Sequence, residues 1–124
     1  METQAFVVGI GTRDPERLRT FYETTVGLAP RFEFAAGAFA VNAAADPCLL
    51  IEAHDEVAES AREPQRVLLN LVVANARAEE ARLRAAGVEF IRAVYEDPEG
   101  LFATFTDPDG NYCQLVQLRG EGAT

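Results

Sequence analysis

The chain contains no lysine and no tryptophan, a single histidine (His54) and a single serine (Ser60). Without lysine it has no Schiff-base nucleophile and no phosphate-cradling P-loop lysine. Ser60 lies in SARE, which is no strained strand-to-helix elbow, and this argues against a serine hydrolase. The two cysteines, Cys48 and Cys113, form no CxxC pair and read as reduced structural thiols. One histidine and two distant cysteines cannot assemble a zinc site of several His or Cys ligands. Basic charge is scarce too: 11 arginines face 20 acidic residues, a formal net charge of −9. That balance argues against nucleic acid and anionic membranes, which need a basic footprint. A small anionic ligand held by one arginine stays compatible with it. No apolar run approaches the roughly 20 residues of a membrane span. METQAF has no basic region leading into an apolar core, so no secretory signal is expected and the expected location is cytoplasmic.

What is present is an ordinary globular composition, 48% hydrophobic and 25% charged over 124 residues, sized for one domain. AFVVGIG alternates and reads as a strand over 5–11. In DPERLRTFYETTVGL, Asp14 suits an N-cap and Pro15 the first helical position. Leu18, Phe21, Tyr22 and Val26 then form one helical apolar stripe, ended by Gly27. Strands are expected at 29–35, 38–44 and 48–54, before a polar connection, HDEVAESAREPQ. A strand over 66–74 follows, then a helix capped by Asn75 and ended by Gly87, then VEFIRAVYE, LFATFTD and NYCQLVQL. DPEG and DPDG suit type I turns between these last strands. The two halves thus share one order, strand–helix–strand–strand–strand. Asp14 and Asn75 lie 61 residues apart, Gly27 and Gly87 lie 60 apart. The expected class is α+β, with one helix covering one face of each half's strands.

This order, together with DPERLRTFYETTVGL, LVVANARAEEARLRAAGV and the terminal FTDPDGNYCQLVQ, resembles the vicinal oxygen chelate superfamily over residues 5–118. That superfamily includes glyoxalase I, extradiol dioxygenases and bleomycin-resistance proteins. The resemblance implies paired βαβββ modules forming a cupped mixed sheet, within a single domain over 1–124. Module 1 would span about 5–54, the connection 55–65 and module 2 about 66–118. Family enzymes hold a divalent metal on the first and last strands of each module. The matching positions here are Val7, Leu68 and Gln114, with Glu52 as the nearest match on the fourth strand. Two aliphatic groups and an amide are poor ligands for a divalent cation, so no metal and no cofactor is expected. Glu52 and His54, two apart on one strand, would be an incomplete set.

Other motifs carry less. GIGTRD lacks the third glycine of a dinucleotide fingerprint, and Asp14 would repel a pyrophosphate. DPDGN places its glycine too early for an EF-hand loop. If Val7 and Leu68 face inward, strand parity adds Gly9, Gly11, Asn70 and Val72. Gln114 would share a face with Tyr112 and Val116, while Phe39, Phe102 and Phe105 could supply an aromatic wall or pack in the core. Arg92 could meet an anionic group or be a solvated edge residue. The expected function is metal-independent binding of a hydrophobic or planar small molecule, such as an antibiotic or metabolite, by a homodimer. Binders of the bleomycin type often stack their ligands on tryptophan, which this chain lacks. Two alternatives stay open: a glyoxalase-like lyase, isomerase or dioxygenase using Glu52 as base or partial ligand, and a non-catalytic accessory domain.

Overall fold

The computed structural model describes residues 1–2, 7–33, 38–41 and 48–119, with side chains except at 30–33, 39, 41 and 48. The chain divides into two compact units, Met1–Ser60 and Ala61–Thr124.

In the first unit, β1 (Val7–Thr12) leads into α1 (Pro15–Thr20). The Asp14 side chain accepts the N–H of Arg17 at 3.1 Å, and Pro15 occupies the first turn, where its missing N–H has no cost. The helix does not run on as α-helix to Gly27. It widens into a π-helical segment, Phe21–Val26, before Gly27 adopts the expected left-handed conformation at φ 94°. The β-branched run Thr24, Thr25, Val26 is a poor α-helix former, consistent with the loosened end. Of the expected stripe, Leu18 and Tyr22 are fully buried, while Phe21 and Val26 are half-buried. β2 (Pro30–Glu33), β3 (Ala38–Val41) and β4 (Cys48–Ala53) complete the unit, in sheet order β1-β4-β3-β2 with β1 parallel to β4. The parts of the expected strands at 5–6, 34–35 and 42–44 lie outside the described residues.

The polar connection forms turns and bends and one 3-10 turn, Pro64–Arg66. The second unit repeats the first: β5 (Leu68–Val72), α2 (Ala76–Ala85), β6 (Phe90–Asp97), β7 (Gly100–Thr106) and β8 (Tyr112–Leu118), in sheet order β5-β8-β7-β6. Two side chains satisfy the start of α2: Asn75 accepts from Ala78 N at 3.0 Å and Gln117 from Ala76 N at 2.9 Å. Such orphan donors otherwise weaken a helix end. Gly87 closes the helix at φ 90°. Ala76 and Leu83 on α2 pack against Ala103, Phe105, Cys113 and Leu115, all buried, on one face of the sheet.

The turns of this sheet are strongly determined. The carboxylate of Asp107 accepts the N–H groups of Asp109 and Asn111 at 2.9 Å each and the Asn111 side-chain amide at 2.8 Å. At the other hairpin, Gly100 has φ 151°, and a Cβ there would collide with the Gln117 carbonyl oxygen. Only glycine fits. Among the described residues no helix is long and apolar enough to cross a membrane.

Candidate functional site

The face of the second sheet turned away from α2 is ordered in rows. Asn70 on β5, Gln114 on β8, Thr104 on β7 and Arg92 on β6 are successive register partners. Beside them run Val72, Val116, Phe102 and Tyr95, and on the other side Leu68, Tyr112 and Thr106. A polar row therefore lies between two rows rich in apolar and aromatic groups. Strands spaced about 4.8 Å apart make the polar row about 14 Å long. Leu68 is 43% exposed and Val72 65% exposed, so this face is open to solvent where β5 borders it. Asn70 and Arg92 are exposed as well, and Gln114, Thr104 and Phe102 are half-buried. Among the described residues neither the Asn70 nor the Gln114 amide has a hydrogen-bond partner. Gln117, three residues on and on the opposite face, spends its amide on α2.

Two aromatic pairs occupy the two faces of the β6–β7 ladder. Phe90 and Phe105, with ring centroids 5.4 Å apart, lie on the α2 side. Tyr95 and Phe102, 5.9 Å apart and inclined by 31°, lie on the open side. This corrects the sequence expectation for Phe105: it is 0% exposed and pairs with Cys113, so it belongs to the core under α2. Phe102, an odd number of residues away, takes the open face. Tyr95 and Thr104 are missed by sequence reasoning. Thr104 could have been found by alternation from Phe102. Tyr95 could not, because β6 breaks register between Phe90 and Arg92 and again between Arg92 and Tyr95. Those bulges bring Arg92 and Tyr95, three residues apart, to one face.

In the first unit Val7, Gly9 and Gly11 are register partners of Cys48, Leu50 and Glu52. Val7 is 48% exposed. The matching pairs in the second unit are Leu68–Tyr112, Asn70–Gln114 and Val72–Val116. By register the counterpart of Gln114 is therefore Leu50, and Glu52 lies one row further along. Its side chain is exposed, and one carboxylate oxygen lies 3.9 Å from where a Cβ on Gly9 would sit. The space above Gly11 is taken: a Cβ there would lie 3.1 Å from the His54 Cβ and 3.5 Å from a Val57 methyl. His54 is exposed, and its Nδ1 accepts the N–H of Glu56 at 3.2 Å. Phe39 pairs with Ile51 in register, not with the row of Gly9, and its side chain lies outside the described residues.

The positions that the resemblance matches to metal ligands are Val7, Leu68 and Gln114, with Glu52 nearest on β4 and Leu50 in the row that the register equates with Gln114. Val7 and Leu68 offer a divalent cation no donor and Gln114 only a neutral amide, so that even with the Glu52 carboxylate the set is a poor fit to a metal centre. Among the described residues no group of three or more His, Cys, Asp or Glu could hold one elsewhere.

The profile of the glyoxalase-like domain matches residues 6–116, and the chain belongs to that family, within the vicinal oxygen chelate superfamily. Among solved structures, UcmS2 is 26% identical, with 94% of this chain and 98% of that one aligned at a TM-score of 0.75. A glyoxalase/bleomycin resistance protein from Streptomyces sp. CB03234 is 26% identical over 92% of this chain and 100% of that one, at a TM-score of 0.72. TnmS3, an antibiotic binding protein from the same organism, shares the fold at 24% identity, 94% and 97% coverage and a TM-score of 0.74. No curated protein matches the chain significantly.

Proposed function

We propose that this chain is a metal-independent small-molecule-binding protein that takes a planar, largely apolar ligand on the open face of its second sheet. The observation that carries the reading is the pair of amides, Asn70 and Gln114, adjacent in register, without a hydrogen-bond partner among the described residues and flanked by Val72, Val116 and Phe102. Apolar walls with a few convergent polar groups are what orient a small ligand. The relatives support the same class: the fold serves TnmS3 as an antibiotic binding protein, and a structure 26% identical to this chain is named a glyoxalase/bleomycin resistance protein. A homodimeric state and a single domain built from both units are part of the proposal and rest on the family resemblance.

Thermal unfolding with 2-naphthol, quinoline and flavone tests the reading. A ligand present at roughly a hundredfold excess over its Kd adds about 2.7 kcal/mol of stability. The expected result is a raised midpoint with at least one planar compound, lost in Phe102→Ala. No shift with any of them, or an equal shift in Phe102→Ala, would contradict it.

A further inference from the structure

Each face of the β6–β7 ladder carries an arginine over an aromatic ring, and the two differ in one respect. On the α2 side the guanidinium carbon of Arg84 lies 4.7 Å from the Phe90 ring centroid, and Arg84 is also paired with Glu80 at 3.0 Å. On the open side the guanidinium carbon of Arg92 lies 3.5 Å from the Tyr95 centroid. Among the described residues no carboxylate pairs with it. In a chain of formal net charge −9, acidic partners are abundant, yet Arg92 is seated on a ring instead. Stacking fixes the plane of the guanidinium through its attraction to the ring face. It leaves the edge N–H donors free, in the fork geometry that matches a carboxylate. Arg92 ends the polar row, two strands from Gln114, a separation of about 10 Å.

We infer that the Arg92 guanidinium, held on Tyr95, is the anion subsite of this face, and that the ligand is a planar aromatic molecule bearing a carboxylate at one end. The inference rests on the small-molecule-binding reading and names its ligand class. The aromatic body lies along the row beside Phe102, its carboxylate accepts from Arg92, and a polar group at the far end meets Gln114. A neutral ligand of the same shape would leave the guanidinium without a counter-charge.

The test compares 6-hydroxy-2-naphthoate with its neutral amide, 6-hydroxy-2-naphthamide, by fluorescence titration. The absence of tryptophan leaves the naphthalene signal clear. The acid should bind about tenfold more tightly than the amide, the size of one charge-assisted hydrogen bond. Arg92→Gln should abolish that ratio, Arg92→Lys should keep part of it, and Arg84→Gln should leave it unchanged. Unaltered circular dichroism of Arg92→Gln shows that the exposed residue was removed without loss of fold. Equal binding of acid and amide by the unaltered protein, or an undiminished ratio in Arg92→Gln, would overturn the subsite while leaving the binding reading intact. Binding of neither compound would overturn both.

Discussion

Gln114 decides more than any other single residue in this chain. At the position where the family's enzymes place an anionic metal ligand, it presents a neutral amide that donates and accepts but brings no charge. Its register partner Asn70 presents a second. Both could be placed from sequence, because the DPDG turn fixes the distance to Gln114 and the Asn75 cap fixes the distance to Leu68 and Asn70. Glu52 has no such fixed spacing to a cap or turn. The β1–β4 register puts Leu50 in the row that matches Gln114 and Glu52 one row further along. At this scale Gln114→Leu is expected to leave the fold intact and weaken binding of a stabilising planar compound about fivefold, the value of one hydrogen bond near 1 kcal/mol. Isothermal titration of the variant checks it; tighter binding by the variant would argue that the amide is not used.

At the scale of elements, β7 has two unlike faces. Phe105 is enclosed under α2, so Phe105→Ala should cost about 3–5 kcal/mol in urea unfolding. Phe102 is half-buried and pairs with the Tyr95 ring, so Phe102→Ala should cost only about 1 kcal/mol while removing ligand binding. Equal costs would mean that the faces are wrongly assigned. The start of α2 is set by its cap, and Asn75→Ala should lose about 1 kcal/mol, with Asn75→Asp retaining most of it. Caps, helix stops and turns were legible because each depends on a residue type at a fixed local spacing. Asp14, Gly27, Asn75, Gly87 and the DPDG turn all stand where the sequence places them. The bulges of β6 and the π-helical end of α1 were not, since no residue type at a fixed local spacing marks either one.

Over the whole molecule, the same strand order recurs in two units, each with its first strand parallel to its last. This repeat was readable from the near-equal spacing of caps and glycines. The equivalence it sets up aligns Val7 with Leu68 and Leu50 with Gln114, positions poor in donors for a divalent cation. Treatment with EDTA, or addition of Zn²⁺ or Ni²⁺, is therefore expected to leave both the unfolding midpoint and ligand affinity unchanged. Loss of binding on chelation, restored by a stoichiometric divalent ion, would contradict the account.

The most direct measurement is a titration of the isotope-labelled protein with 2-naphthol, followed by the NMR signals of its amides. The side-chain amides of Asn70 and Gln114 are expected to shift together with the backbone amides of Phe102 and Thr104, while the backbone amides of Ala76 and Leu83 on α2 stay fixed. Shifts centred on α2, or shifts that leave Asn70 and Gln114 untouched, would show that the open face of the second sheet is not the binding site.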